Sequence, residues 1–279
     1  MKMTGDWSER TRIENYTPPG GAKTYVFNTT YDQDTATIIG GIDLLNVVHK
    51  NEAWVLGVDG GFVDSNVNFR NSPDRFHLTG SNIAGYATYL NGGLYIDGTL
   101  SANLLDMKAS LPGLGVTPNP WTTGDKVNSF GGQVEAGYSM PLGGMLFWEP
   151  LGTLAYVNTT FTNLPIPGGT QKLGNDDSFR GSLGARVGAT TDFQYYKVKL
   201  SLTGRVWDEF DNDTLSTLIV PGGPNFLNND NLKGIFGEIS GQANLFTIGS
   251  GLSAFVNGGV KFKSTYTEGN VTLGARYQF

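Results

Sequence analysis

Cysteine is absent from the 279 residues, which removes disulfides and thiolate metal sites and suits a chain that crosses an oxidising compartment unfolded. Charge is sparse: Asp, Glu, Lys and Arg together make up 16% of the chain, against about 25% in ordinary soluble proteins. No window approaches about 18 uninterrupted apolar residues, so no transmembrane helix is expected. The opening Met1-Lys2-Met3-Thr4-Gly5-Asp6 has no apolar segment of the secretory kind, and any export signal is expected upstream of Met1. With a net charge of -6 and a pI near 4.9, the chain lacks the clustered basic face that a nucleic acid partner needs. Only two histidines occur, His49 and His77, and neither stands beside a candidate nucleophile. No Gly-x-Ser-x-Gly, His-Glu-x-x-His or Walker sequence is present. No catalytic residue, cofactor or metal ligand follows from this sequence, and an enzyme is not expected.

What the chain does have is glycine, 40 residues of it, about twice the usual share, together with abundant Asn, Thr and Ser. Helical periodicity is scarce. Segments of about ten residues that alternate apolar and polar recur along the whole length. They fall near residues 4–14, 34–47, 53–67, 77–90, 93–107, 128–141, 144–158, 178–191, 195–208, 234–247, 251–265 and 268–279. Every second pair is joined tightly, at His49-Lys50-Asn51-Glu52, Asn91-Gly92, Leu142-Gly143, Asp192-Phe193-Gln194 and Ile248-Gly249-Ser250. The other joins are long and rich in Pro, Gly, Asn and Thr, as in residues 110–127, 159–177 and 211–233. This rhythm predicts one all-β domain over residues 1–279, a transmembrane antiparallel β-barrel of about 12 strands with short periplasmic turns and long extracellular loops.

The phase of alternation assigns faces. In residues 195–208, Tyr196, Val198, Leu200, Leu202 and Val206 alternate with Lys197, Lys199, Ser201, Thr203 and Arg205. A soluble sandwich would bury the apolar set in a core; a barrel would present it to lipid. Aromatics near strand ends, Trp54, Phe62, Phe147, Trp148, Tyr156, Tyr195, Tyr196, Phe246, Tyr266 and Tyr277, suit two interfacial girdles. On the polar face, Asp43, Asp59, Asp97, Glu135 and Glu149 are expected to point inward from the first seven strands. Arg180, Arg186, Lys197, Lys199, Arg205, Lys261, Lys263 and Arg276 are expected to do so from the later ones, with Glu238 the exception. Closure of the sheet would set an acidic wall against a basic wall. Such charges serve either as ion pairs that fill and fix the barrel or as a transverse field across a wet channel.

The order of features resembles the translocator domain of bacterial autotransporters, the type V secretion route. The resemblance runs through Gly5-Asp6-Trp7-Ser8-Glu9-Arg10, Tyr31-Asp32-Gln33-Asp34-Thr35, Gly40-Gly41-Ile42-Asp43, Trp54-Val55-Leu56-Gly57-Val58 and Ala84-Gly85-Tyr86-Ala87-Thr88-Tyr89. It continues through Gly93-Leu94-Tyr95-Ile96-Asp97-Gly98, Glu135-Ala136-Gly137-Tyr138, Trp148-Glu149-Pro150, Gly184-Ala185-Arg186-Val187-Gly188 and the closing Gly274-Ala275-Arg276-Tyr277-Gln278-Phe279. It implies a monomeric barrel in the outer membrane of a Gram-negative bacterium, with membrane lipid and the barrel-assembly machinery as partners. It also implies an N-terminal passenger and a linker helix threaded through the lumen. Met1 to Gly5 leave no room for that helix, so helix and passenger are expected upstream or not at all. In outer-membrane barrels the assembly machinery reads the last strand, which maps here onto Leu273, Ala275, Tyr277 and Phe279. Some members cut the passenger free between two asparagines of the helix; Asn228-Asn229 falls in a loop, and that cleavage is not carried over. The alternative reading is a free-standing channel for small solutes.

Overall fold

The computed structural model describes the chain apart from residues 17–21, 50, 113–120, 212, 220–225, 232 and 279. Twelve long strands build one closed sheet: β1 (Lys2–Arg10), β2 (Tyr31–His49), β3 (Glu52–Phe69), β4 (Arg75–Asn91), β5 (Leu94–Leu111), β6 (Trp121–Tyr138), β7 (Leu146–Phe161), β8 (Asn175–Asp192), β9 (Tyr196–Asp211), β10 (Gly234–Thr247), β11 (Leu252–Lys263) and β12 (Tyr266–Tyr277). Each pairs antiparallel with its neighbours in sequence, and β1 pairs with both β2 and β12. That last pairing removes the free edges that lipid could not satisfy. No α-helix occurs among the described residues.

The register sets the tilt. A line straight across the strands from Val48 in β2 passes Ala53, Leu90, Tyr95, Gly137, Leu151, Gly184, Arg205, Glu238, Lys261, Glu268 and Ser8. It returns to β2 at Gln33. One circuit thus climbs fourteen residues once the bulged residue between Asp43 and Leu45 is set aside. With about 3.3 Å per residue and about 4.8 Å between strands, the strands lean about 40° from the barrel axis.

Leu183, Leu100 and Val206 face outward and stay exposed, Leu183 at 77%, because that face meets lipid and not a protein core; on β4, whose phase the sequence leaves open, Ile83 faces outward as well. Many glycines sit where an aromatic of the next strand lies flat on the sheet. A Cβ at Gly57 would stand 2.2 Å from the Tyr86 ring, one at Gly137 2.5 Å from Tyr95, and one at Gly269 2.3 Å from Trp7. Glycine is the residue that admits such close cover, which accounts for part of its abundance.

Three expectations change. The tight turn placed at Leu142-Gly143 lies at Gly144-Met145, because Met140–Gly143 continues the sheet by pairing with the start of β7. The long joins are shorter than expected, and they carry strands of their own: Asn163–Ile166, Gly169–Lys172, Asp213–Ile219 and Phe226–Asn231 form a separate four-stranded sheet. Asn228 and Asn229 lie in its last strand. Finally, Phe147, Phe246 and Tyr266 share the phase of Lys197, Glu149 and Glu268 and face the lumen, so they leave the girdles.

The lumen is also apolar in one place. Met107, Ala109, Leu111 and Val127 keep the inward phase of Tyr95 and Glu135 at the long-loop end, and Leu164 of the loop sheet closes over them at 2% exposure. Trp121 Nε1 donates to the Pro165 carbonyl at 3.2 Å, and Thr162 N donates to Asp125 Oδ1 at 3.1 Å. This is the principal dry cluster among the described residues.

Candidate functional site

The candidate site is the charged lumen. In chain order the inward acids come first and most inward bases later, as the phase implied. In a closed ring such arcs do not face each other only across the middle; they also meet side by side at two seams. One seam lies at β6 to β10, the other at β12, β1, β2 and β3.

Glu135 is the hub of the first seam. Its Oε1 accepts from the Tyr95 hydroxyl at 2.8 Å and from Arg186 Nη2 at 3.4 Å. Its Oε2 accepts from Arg205 Nη2 at 2.6 Å and from Thr153 Oγ1 at 3.2 Å. Arg186, directly opposite Glu149 in the register, also ion-pairs with it and donates from Nε to Thr203 Oγ1 at 3.2 Å. Arg205 reaches the other way to Glu238 at 2.7 Å, and the Trp207 indole donates to the same carboxylate at 2.7 Å. The side chains are nearly dry: Glu149 is 3% exposed and Arg186 17%. Tilt explains the reach. Arg205 and Glu135 lie three strands apart, yet each strand step raises the wall, and long side chains leaning inward close the gap.

The second seam lies at the short-turn end. Arg276 of β12 pairs with Asp43 of β2 at 2.5 Å, and Lys2 of β1 pairs with Asp59 of β3 at 3.9 Å. The Tyr86 hydroxyl donates to Asp43 at 2.6 Å. Arg276 and Lys2 are nearly half exposed. These residues line a cavity of about 1170 Å³ that also takes in Met1, Ile39 and Phe255.

The remaining predicted positions are also inward but scattered. Asp97 accepts from Thr88 at 2.5 Å, Arg180 lies over the Trp207 ring at 5.7 Å, and Lys199 over Phe147 at 4.5 Å. Lys197 pairs with Asp192 at the short-turn mouth, 3.5 Å apart. Lys261 pairs with Glu268 at 2.7 Å, and Lys263 donates to the Lys233 carbonyl at 2.6 Å. Leu273, Ala275 and Tyr277 face outward on β12, while Phe279 lies outside the described residues.

Several of these inward groups were not singled out from sequence: Glu268, Lys2, Tyr95, Trp207 and Glu209, which accepts from Ser178 Oγ at 2.8 Å. Glu268 shares the phase of Arg276 on one strand, so phase alone contained that signal. The basic arc therefore also carries acids, Asp176, Asp192, Glu209, Glu238 and Glu268 among them, and the division into two walls is less complete than expected.

Twelve antiparallel strands closed on themselves, apolar outside and charged inside, define an outer-membrane β-barrel. The particular family follows from comparison with known proteins. The model of the autotransporter β-domain matches residues 24–267, and the chain belongs to that family. Solved structures share the fold: the β domain of the Bordetella autotransporter BrkA at 17% identity, TM-score 0.70, covering 100% of this chain and 98% of that one. The transport unit of AIDA-I from Escherichia coli follows at 13% identity, TM-score 0.73, covering 100% and 89%. The translocator domain of NalP from Neisseria meningitidis stands at 13% identity, TM-score 0.68, covering 100% and 88%. No curated protein sequence matches the chain. Family and fold place the protein in the outer membrane of a Gram-negative bacterium as a barrel for passenger translocation. They do not favour the free-standing channel.

Proposed function

We propose that the barrel anchors the C-terminal end of an upstream passenger in the outer membrane and forms, or helps to form, its passage to the cell surface. One observation carries this reading: the lumen opens widely at its short-turn end, where strand β1 starts. The Met1 ammonium donates to the Ala275 carbonyl at 2.9 Å, and Met1 and Lys2 line the wide short-turn cavity together with Asp43, Asp59 and Arg276. A segment joined ahead of Met1 would start at an opening large enough to receive it and lined by polar groups that hydrate it. The seam charges then act as struts that hold the lumen in shape, since most already have partners of opposite sign. The outward row Leu273, Ala275 and Tyr277, with Phe279 following in sequence, serves as the segment that the assembly machinery recognises. No step calls for a bound nucleotide, and insertion and passenger folding supply the drive.

The test is direct. An epitope-tagged passenger with a helical linker is joined ahead of Met1 and expressed in a Gram-negative host. Protease added to intact cells is expected to remove the tag while the barrel keeps its heat-modifiable migration. A folded barrel whose tag stays protected would contradict the proposal.

A further inference from the structure

Most cations of this protein are engaged by other groups. Three on the outer wall are not. Arg75 of β4, Lys108 of β5 and Lys126 of β6 share the outward phases of Ile83, Leu104 and Phe130, and none of the three has an ion-pair partner among the described residues. Arg70, just past β3, stands in contrast, because Asp32 and Glu9 hold it at 2.7 and 2.6 Å.

The register gathers the three cations. Arg75 lies opposite Ser110, two residues beyond Lys108 on the next strand; Lys108 lies opposite Gly124, two residues short of Lys126. Each step across the sheet therefore drops two residues toward the short-turn end, and the climb of the tilted wall returns much of that drop. With about 4.8 Å between strands, about 3.3 Å per residue and a tilt of about 40°, the cations fall near one level, about 8 Å from one to the next. Leu104 and Phe130, 59% and 54% exposed, lie four residues below on the same faces, about 10 Å down. That depth is where lipid chains give way to headgroups. Asp106 is an outward carboxylate of the same patch; it sits two residues below Lys108 and opposite Lys126 in the register without ion-pairing to it.

We propose that Arg75, Lys108 and Lys126 form a docking ledge for the phosphorylated headgroup of an outer-leaflet lipid. Guanidinium and ammonium groups are the natural partners of phosphate, and cations at headgroup depth strengthen anionic lipid binding. A spread of cations along one level fits a headgroup that carries more than one phosphate. The long stems of Lys108 and Lys126 can lie along the wall and carry their charge up to the ledge. The inference rests on the outer-membrane location and is independent of what passes through the lumen.

Native mass spectrometry of the full chain, folded in zwitterionic detergent and incubated with bisphosphorylated lipid A, reads lipid retained per barrel. The variant R75Q/K108Q/K126Q is expected to retain about tenfold less, and K23Q/K172Q, which neutralises cations elsewhere, as much as the parent. Lipid A stripped of phosphate is expected to bind the parent as weakly as the intact lipid binds the triple variant. Heat-modifiable migration establishes folding; should the triple variant not fold, K108Q and K126Q are read singly, each expected to lose about threefold. Undiminished retention by the folded variants would overturn the proposal. So would displacement of the lipid by equimolar inorganic phosphate, which would mark a phosphate site and not a lipid one.

Discussion

The two seams of the lumen use the same chemistry in different solvents. At β6 to β10, Arg186 and Arg205 share Glu135, and Glu149 and Glu238 flank them, all largely withdrawn from water. At the short-turn end, the Arg276–Asp43 and Lys2–Asp59 pairs stand in an open mouth. Water decides what each is worth. A wet pair contributes about 0–1 kcal/mol because solvent competes for both charges. In a dry cluster the desolvation cost is already spent, so loss of one partner leaves a charge with nothing to answer it. On the proposed function, the first seam is a rigid strut and the second a soft, exchangeable rim at the entrance for the passenger.

The largest effect is expected from Arg186→Leu. It strands Glu149 and removes one of the two arginines on Glu135, and should destabilise the folded barrel by about 3–5 kcal/mol in urea unfolding from lipid vesicles. The double variant Glu149→Leu/Arg186→Leu should recover much of that loss, because an apolar pair replaces a buried ionic one. A smaller cost follows from Gly137→Val. Its Cβ would stand 2.5 Å from the Tyr95 ring, pushing the phenol that donates to Glu135, and the expected loss is about 1–3 kcal/mol by the same assay. The smallest belongs to Arg276→Leu at the wet rim, about 0–1 kcal/mol. If Arg276→Leu cost as much as Arg186→Leu, the contrast between the seams would fail.

How much of this the sequence revealed differs by level. All twelve barrel strands were legible, because alternation with a lipid-facing side runs along most of them; β4 gave its place but not its phase, since its inward face carries Phe76, Leu78 and Leu90 while its outward face carries Arg75, His77 and Thr79. The inward identity of Glu135, Arg186 and Arg205 followed from phase in the same way. Which of them meet did not. The fourteen-residue offset around the ring brings Arg205 to Glu135 across three strands, and no local pattern encodes an offset accumulated over the whole sheet. Residue type misled where phase should have ruled: Phe147 and Tyr266 read as girdle aromatics, yet their positions turn them inward onto Lys199 and Glu268. The loop sheet stayed hidden for another reason. Its strands Asn163–Ile166 and Gly169–Lys172 are four residues each, too short to show alternation, and the Pro and Gly around them read as plain loop. Leu164, the seal of the dry cluster, was lost with them.

The proposed passage runs a polypeptide inside this wall. Because the chain has no cysteine, single cysteines can be placed without background. A passenger stalled in transit and carrying one cysteine is combined with barrels bearing Gln133→Cys or Ser201→Cys, which face the lumen, or Val134→Cys or Leu202→Cys, which face outward. Disulfide cross-links are expected from the two lumen positions and none from the two outward ones. Cross-links absent from all four, or formed equally from both faces, would contradict the proposed passage.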